Sequence, residues 1–443
     1  MIWHVIAREN ADDAFTVTPA LEGNLVNVEL SGEDRKTGVR NNLAGVFNSS
    51  GVYPSETSRD MLKLSIAIYA ADKSANRNQA FNKWSRYFHL YQPVSNPDIW
   101  KGIQVKLEKM LNFLTGDHWE IHFRQARKRQ PLNTEQSQVK IPNLIPSPTV
   151  VALMSGGLDS FTGAIDLLET AGKDLFFVSH YGRGGVTKAV QDQVYIHLRR
   201  YYPDRFCNLQ FFIQPAEGIT GEIEPSQRGR SLLFLSLGVA VASAYKNQIP
   251  LYIYENGLLS LNVPLAANRG GGLSTRTTHP HFLYMYQNIL DSLGINTSIV
   301  TPFRFLTKGE MLLASKNQRV LQEGIKLTHS CSHVTYVRFK GKSLNNHCGY
   351  CLPCMVRRAA TNYAGVDDVG YVVDVLKDTL PASRVEGKDL FAVKVALKRL
   401  ATTKSSLLSY VRTAGPLPGT PEEIAQYVEV YRRGMAELKN LLQ

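Results

Sequence analysis

Residues 150–160 read VVALMSGGLDS, a short apolar run followed by a turn rich in serine and glycine. A continuous apolar run of this length is typical of a parallel strand that is buried on both faces. Gly156 and Gly157 would let the backbone approach a ligand closely, and a helix that begins after them would direct N–H groups toward it. The stretch therefore predicts a strand, a turn and a helix that form a phosphate-binding site.

The chain after this stretch continues to alternate between strands and helices. Strands are predicted at residues 175–180, 209–213, 250–254 and 297–300, and helices at 160–171, 187–201, 227–246, 281–293 and from residue 308. Strands that alternate with helices at this spacing indicate an α/β fold with a doubly wound parallel sheet.

Both flanking regions differ in character from this central part. Residues 1–147 mix short alternating strands with a helix near residues 59–71, and a polar, proline-containing connector at 133–148 indicates a boundary. Residues after 380 have helical patterns up to residue 442. We therefore predict an N-terminal α+β accessory domain (1–147), a nucleotide-binding domain (148–370) and a helical C-terminal extension (371–443).

The composition is that of a globular protein, with 44% hydrophobic and 20% charged residues among 443. The longest apolar run, residues 232–245, is too short to cross a bilayer, and the N-terminus does not resemble a secretory signal, so we expect a cytoplasmic protein. The net charge of +12 suits anionic ligands such as ATP or nucleic acid. The basic patch at residues 124–129 is equally consistent with an ordinary solvated face.

The glycine turn supplies several groups that could hold phosphates. The residues predicted to bind phosphates, which the family resemblance described below identifies as those of ATP, are Ser155, Gly156, Gly157, Leu158, Asp159 and Ser160. The two serines offer hydroxyl groups, and Asp159 could bind a Mg²⁺ ion that bridges phosphates. The turn has neither the Gly-Lys-[Ser/Thr] of a Walker A loop nor the third glycine of a dinucleotide-binding fingerprint. The alternative is a glycine turn that binds no ligand.

Four of the five cysteines cluster late in the chain, with the spacing of a metal site. They are Cys331, Cys348, Cys351 and Cys354. Gaps of two residues let neighbouring thiolates converge, and four sulfur ligands complete a tetrahedral shell, so a structural Zn²⁺ is predicted. An iron–sulfur cluster is the alternative, because thiolates alone do not determine the metal. Cys207 is interpreted as an ordinary core residue.

The serine and glycine turn resembles the signature Ser-Gly-Gly-x-Asp-Ser of the PP-loop ATP pyrophosphatases, which have a HUP-like fold. Residues 329–332 and 347–358 resemble the zinc segment of QueC, the 7-cyano-7-deazaguanine synthase family, and residues 229–235 and 301–310 resemble two further segments of that family. The resemblance covers roughly residues 149–365. It implies cleavage of ATP to AMP and pyrophosphate, with Mg²⁺, to adenylate a carboxylate.

With its two extra regions, the chain looks most like the QatC group, the QueC-like component of Qat anti-phage defence systems. This resemblance implies that the substrate is 7-carboxy-7-deazaguanine and that the product is an amide or a nitrile. It further implies conjugation of the deazaguanine to the N-terminus of a partner protein of the same operon, such as a QatB-like protein. Enzymes of this kind are commonly homodimers, and neither a membrane nor a nucleic acid is an expected partner.

Two cations and one group of polar residues complete the predicted site. Arg230 and Lys308 are candidates to neutralise charge as pyrophosphate leaves, so the predicted catalytic residues are Ser155, Asp159, Arg230 and Lys308. Either cation could instead be an ordinary surface or helix-pairing residue.

The substrate is expected at the carboxyl ends of the strands, where open parallel sheets bind their ligands. The residues predicted there are Glu255, Asn256, Thr278 and His279. Glu255 is favoured as the acceptor for a purine-like edge, whereas His279 could equally be a helix-start or packing residue.

Two other functions remain open at this stage. The positive charge is consistent with a PP-loop enzyme that modifies tRNA, whose binding would weaken steeply with salt. The flanking domains are also consistent with a module that binds nucleotide and controls the assembly of partner proteins without catalysis.

Overall fold

The computed structural model describes residues 2–18, 23–32, 37–127, 148–171, 174–216, 224–265, 276–341, 343, 345–402 and 406–443. The predicted connector at 133–148 lies, except for its last residue, outside these ranges, as do Lys128 and Arg129 of the basic patch. The described residues form two sheets and fifteen α-helices, which confirms a mixed α/β fold with parallel sheets.

The strands are β1 (Ile2–Arg8), β2 (Gly23–Glu29), β3 (Val39–Asn41), β4 (Tyr87–Val94), β5 (His118–Gln125), β6 (Val150–Leu153), β7 (Leu175–Tyr181), β8 (Phe206–Pro215), β9 (Leu251–Tyr252) and β10 (Ile299–Val300). The helices are α1 (Leu43–Ser50), α2 (Glu56–Ser74), α3 (Pro97–Thr115), α4 (Leu158–Thr170), α5 (Val186–Tyr201), α6 (Arg228–Ala242), α7 (Gly257–Leu261), α8 (Pro280–Ser292), α9 (Lys308–Leu313), α10 (Gln318–Gly324), α11 (Val334–Phe339), α12 (Leu352–Ala364), α13 (Val385–Thr402), α14 (Leu407–Val411) and α15 (Pro421–Leu442).

The first sheet contains only parallel strands, in the order β2-β1-β4-β5. The N-terminal region is therefore an α/β arrangement and not the α+β arrangement expected from its short alternating strands. Every second residue of β1, namely Trp3, Val5 and Ala7, is buried in one core that also contains residues of α2 and α3. The parallel connection explains this arrangement, because α3 lies between β4 and β5 in the chain and covers the face that these residues share.

The second sheet has the order β10-β9-β6-β7-β8-β3, and its first five strands are parallel. Alternate residues of β6 enter two different cores: Val151 and Leu153 pack with residues of α6, whereas Val150 and Ala152 pack with residues of α4. Both faces of the sheet are thus covered by helices. The order of strands reverses between β6 and β9, which makes the crevice at their carboxyl ends the usual place for a ligand.

One strand of the second sheet comes from the predicted N-terminal domain. Strand β3 pairs antiparallel with β8, and residues of both regions share a continuous core that includes Val39, Ile68 and Leu232. The pattern of a three-residue strand is too short to be predicted from sequence. The N-terminal region therefore packs as part of the same body as the central sheet.

A buried ionic junction joins the two regions beside α6. Asp72 accepts hydrogen bonds from Arg86 Nη2 at 2.6 Å, from the Gly229 amide at 2.9 Å and from Ser226 Oγ at 2.8 Å. Burial alone would raise the pKa of Asp72, but Arg86 and the hydrogen bonds outweigh it and the pKa is lowered. A side chain at Gly229 would come within 3.0 Å of the Tyr69 Cα atom, so α2 and α6 can approach this closely only with glycine there. The N-terminal region therefore sets the position of the start of α6, which carries Arg230.

The C-terminal helix α15 likewise sets the position of the start of α9. The buried carboxylate of Glu437 on α15 accepts hydrogen bonds from the Thr307 hydroxyl and, at 3.3 Å, from the Gly309 amide. Thr307 is the N-cap of α9, and its partner in the capping box, Glu310, also pairs with Arg433 of α15 at 2.6 Å. Helix α15 thereby positions the first turn of α9, which carries Lys308.

A search of the described helices finds none with the length and apolar character needed to cross a membrane.

We predict that Asp72→Ala lowers the free energy of unfolding by about 3–5 kcal/mol, because it leaves Arg86 buried without one of its two carboxylates. Chemical denaturation at neutral pH measures this change, and Asp98→Ala, whose side chain is 91% exposed, is the matched control. Because the pKa of Asp72 is lowered in the folded state, the difference should shrink as the pH falls through that pKa. Equal stability of the two variants at neutral pH would contradict the prediction.

Candidate phosphate-binding site and cysteine cluster

The glycine turn follows β6 and ends at the N-terminus of α4. Gly156 has a φ of +84°, and a Cβ atom there would lie 3.1 Å from Val190 Cγ1, so both the backbone conformation and the space favour glycine. Gly157 is the N-cap of α4. Ser155 is exposed, and its Oγ accepts a hydrogen bond from the Gly157 amide at 3.1 Å and lies 3.0 Å from Ser160 Oγ. Because the first amides of a helix have no partner within it, this turn has the features of an anion site.

Asp159, in the first turn of α4, is buried and bonded on both oxygens. Its Oδ1 forms an ion pair with Lys308 Nζ, and its Oδ2 accepts hydrogen bonds from the Asn256 amide at 2.9 Å and from Asn256 Nδ2 at 2.7 Å. Burial alone would raise the pKa of Asp159, but Lys308 is the leading opposing influence and the pKa is lowered. The carboxylate predicted to bind Mg²⁺ therefore joins the first turn of α4 and the segment that follows β9 to the start of α9.

Glu255 lies beside this ion pair and is partly exposed. Asn256 Nδ2 lies 3.3 Å from Glu255 Oε1. Burial, together with the negative charge of Asp159, raises the pKa of Glu255 well above the usual value for a glutamate. Glu255 therefore holds its proton more tightly than an exposed glutamate does.

An open cleft of about 290 Å³ extends from Glu255 along the edge of the sheet formed by β9 and β10. Helices α8 and α15 contribute its walls. Its lining includes Glu255, Thr278, Tyr284, Thr301, Arg304 and Tyr427. Apolar and aromatic side chains with a few polar groups are common in clefts that bind small molecules.

Arg230 is connected to the glycine turn through two buried residues. Its Nε donates to His180 Nδ1 at 3.1 Å, and His180 Nε2 donates to the Ile213 carbonyl at 3.2 Å. Burial and the charge of Arg230 lower the pKa of His180 to about 3, so this histidine is neutral and can accept from Arg230. Gln191 Nε2 in turn donates to the carbonyls of His180, at 3.1 Å, and Ser155, at 3.5 Å.

The guanidinium of Arg230 has no carboxylate partner among the described residues. Burial lowers its pKa, but an arginine remains charged at neutral pH. It is partly buried, unlike the solvated helix-start residue that was the alternative. A fixed cation without a bound carboxylate is suited to receive an anionic ligand.

The four predicted substrate residues separate into two pairs. Glu255 and Thr278 line the cleft. Asn256 and His279 are fully buried helix caps: Asn256 Oδ1 accepts from the Leu259 amide at 3.1 Å, and His279 Nδ1 accepts from the His281 amide at 3.2 Å. The ring of His279 packs edge-on against Phe113, with 5.2 Å between the ring centroids, as its packing alternative predicted.

Two residues of the site were not identified from the sequence. Gln191 occupies a helical position in line with the buried Val194, Tyr195 and Leu198, and a polar residue on such an apolar face was the available signal. Glu437 gave no comparable signal, because its partners on α9 are 128 and 130 residues away in the chain.

The four cysteines are buried and close together, as predicted for a structural metal site. Their sulfur atoms all lie within 4.8 Å of one another, with Cys351 and Cys354 at 3.2 Å and Cys348 and Cys354 at 3.7 Å. Such separations suit four thiolates around one tetrahedral ion, so the cluster could hold a structural metal such as zinc. Gly349 has a φ of +88°, and a Cβ atom there would lie 2.0 Å from the Val373 carbonyl oxygen, so the turn between Cys348 and Cys351 requires glycine.

A buried arginine connects the cysteine cluster to the glycine turn. Arg357, three residues after Cys354 on α12, donates to the Ile325 carbonyl at 2.8 Å and to Thr328 Oγ1 at 2.9 Å. The next residue along that segment, His329, donates its amide to the Gly156 carbonyl at 3.0 Å. Hydrogen bonds thus link the cysteine segment to the glycine turn.

Comparison of the chain with protein-family models, with curated proteins and with solved structures returned no match. The functional conclusion therefore depends on the motifs and on the geometry of the turn, the cleft and the cysteine cluster.

We predict that Cys351→Ser removes one equivalent of bound zinc and lowers the thermal midpoint, because three remaining thiolates hold the ion far more weakly. Elemental analysis and thermal unfolding measure the two effects. Cys207→Ser is the matched control, since Cys207 lies on β8 away from the cluster and should leave the metal content unchanged. Equal zinc content in both variants would contradict a four-cysteine site.

Proposed function

We propose that this chain is a QueC-like PP-loop enzyme that uses ATP to adenylate the carboxylate of 7-carboxy-7-deazaguanine. The observation that carries the proposal is the position of Asp159. It lies in the first turn after the glycine loop and bonds the end of β9 across the point where the strand order reverses. This supports the proposal, because the glycine turn and the cleft that Glu255 lines lie toward the carboxyl ends of the strands, where open parallel sheets usually bind their ligands.

In this proposal, ATP lies with its β- and γ-phosphates on the turn. The amides at the start of α4 and the hydroxyls of Ser155 and Ser160 donate to phosphate oxygens. Arg230 and Lys308 stabilise the negative charge that develops as pyrophosphate leaves. Mg²⁺, when bound, would neutralise phosphate charge, and Asp159 would supply the hard oxygen ligand that this ion prefers.

The deazaguanine would occupy the cleft with its ring between the aromatic walls. Tyr284 and Tyr427 line the cleft and offer apolar surface, while Glu255 and Thr278 offer polar groups for the edge of the base. A guanine-like edge presents N–H donors, and donors favour the ionised form of Glu255, which offsets the effect of burial on its pKa.

The proposed chemistry has two steps. A carboxylate oxygen of the substrate attacks the α-phosphorus of ATP, the bond to the β-phosphate oxygen breaks, and pyrophosphate leaves. An amine then attacks the resulting acyl-adenylate, loses a proton and displaces AMP to form an amide. We propose the N-terminal amine of a partner protein of the same defence operon as this nucleophile, on the basis of the resemblance to the QatC group and of the additional N- and C-terminal regions.

The positions of the cysteines bear on the tRNA-modifying alternative, and AMP formation distinguishes the assembly module. A thiolase acting on tRNA needs reactive thiols near the loop, but four cysteines are buried in one cluster and the pKa of Cys207 is raised by burial. An assembly module without catalysis would bind ATP and form no AMP.

We predict that Asp159→Asn lowers the rate of pyrophosphate release from ATP and 7-carboxy-7-deazaguanine by about 100-fold or more. Asparagine keeps the size of the side chain but cannot balance the charge of Lys308. A coupled pyrophosphate assay measures the rate, and Asp192→Asn, which replaces a half-exposed carboxylate on α5, is the matched control.

An unchanged rate in folded Asp159→Asn protein would contradict the proposal. Tight ATP binding without AMP formation by the unaltered chain, with partner proteins present, would instead favour the assembly module. Intact mass spectrometry of the partner identifies the nucleophile, because an amide-linked deazaguanine adds a defined mass to it.

We predict that Glu255→Gln raises the KM for 7-carboxy-7-deazaguanine by about 10-fold or more and changes the KM for ATP much less, because an amide makes weaker hydrogen bonds to a donor edge than a carboxylate. Glu423→Gln is the control, since Glu423 also lines the cleft but pairs with Arg304 at 2.6 Å. Equal effects on both KM values would show that Glu255 acts on the phosphate site.

A further inference from the structure

The first sheet has one face that its helices do not cover. Parallel sheets are normally covered on both faces. Here α2 and α3 pack on one face, whereas Leu25 and Tyr87 on the other are 45% and 50% exposed. Among the side chains on this face His4 and Ile6 are buried, whereas several polar and aromatic side chains are at least partly exposed.

A cluster of histidines occupies the middle of this face. Strand register places His89 of β4 beside Glu120 of β5, and His122 two residues further along β5 on the same face. His4 of β1 pairs in register with His89, and their rings stack with 5.1 Å between centroids. Tyr91 stacks on His122 at 4.7 Å and so restricts the orientation of that ring.

One nitrogen of His89, one nitrogen of His122 and the carboxylate of Glu120 converge within this cluster. His89 Nδ1 lies 3.2 Å from His122 Nε2 and 3.7 Å from Glu120 Oε2, and His122 Nε2 lies 3.3 Å from Glu120 Oε1. Bonds of about 2.0–2.2 Å from one ion to imidazole and carboxylate ligands require separations of roughly 3.3–3.5 Å between ligands in a tetrahedron. The carboxylate of Glu120 presents a different oxygen to each histidine, and all three separations are close to those that a single ion needs.

The chemistry of the set points to a transition metal. Two imidazoles and one carboxylate suit Zn²⁺ and similar divalent ions better than Ca²⁺ or Mg²⁺, which prefer oxygen ligands alone. The side chains are partly open to solvent, with exposed fractions of 25% for His89, 37% for His122 and 54% for Glu120. Water or an anionic ligand can therefore complete the coordination.

We propose that His89, Glu120 and His122 form a second metal site, which binds a divalent transition metal such as Zn²⁺ on the open face of the first sheet. It differs from the cysteine cluster in both ligands and exposure: the cysteines form a closed set of four sulfurs, whereas this site supplies three ligands and leaves at least one coordination position open. An open position of this kind allows exchange of the ion and binding of a further ligand.

The test is calorimetric titration of the full chain with Zn²⁺ after a mild chelator has removed exchangeable metal and left the cysteine site loaded. One additional equivalent should bind. His122→Ala and His89→Ala should each weaken this binding by about 100-fold or more, since loss of a direct ligand costs at least as much as loss of an outer-shell partner. His118→Ala, on the same face but stacked on Tyr87 outside the cluster, should change it less than 2-fold.

A second measurement separates the two metal sites. Co²⁺ added to the same protein should give visible bands of nitrogen and oxygen coordination without the strong charge-transfer bands of thiolates. Absence of an additional equivalent would overturn the proposal. Equal weakening of metal binding by His118→Ala and His122→Ala would also overturn the proposal, because binding would then be spread over surface histidines. Thiolate bands would overturn it as well, because they would show that Co²⁺ enters the cysteine cluster.

Discussion

The ion pair between Asp159 and Lys308 is the interaction on which the arrangement of the central site depends. Both side chains are buried, and an unpaired charge in such a place would cost several kcal/mol. The start of α4, the end of β9 and the start of α9 must therefore meet at one point, since the Asn256 amides complete the hydrogen bonds of Asp159. The glycine turn, the cleft and Lys308 consequently form one connected site.

The N- and C-terminal regions position the two cations of this site, Arg230 and Lys308. Asp72 in the N-terminal region accepts from the amide of Gly229, the residue before Arg230, and Glu437 near the C-terminus bonds the first turn of α9 around Lys308. Each anchor is a buried carboxylate that accepts a backbone amide at a helix start, where the amides lack partners within the helix. The regions that extend beyond the QueC resemblance are thus part of the structure of the site and not independent attachments.

Sequence patterns predicted the elements whose signal is local. The alternation after residue 148 placed β6 to β10 and the helices α4, α5, α6, α8 and α9 within a few residues of their observed bounds, although the short α7 was not predicted, and the four cysteines met as their spacing required. Strands β1 and β4 were not predicted, because histidines and tyrosines such as His4 and Tyr91 lie on their open face and obscure the usual alternation of apolar and polar residues. The α+β expectation for this region was wrong for the same reason. With β1 and β4 not predicted, the sequence did not show that the strands of this sheet pair in parallel.

What the sequence alone determined is the local pattern at each point: a glycine turn between a strand and a helix, four cysteines at metal spacing, and strands buried on both faces. These depend on neighbours within a few residues, so periodicity and spacing reveal them. Only the tertiary structure decided which of these groups meet. It placed Glu255 and Thr278 in the cleft but Asn256 and His279 in helix caps, and it brought Glu437 to α9. Those contacts join residues far apart in the chain, where burial and charge pairing select the partner and no local pattern records it.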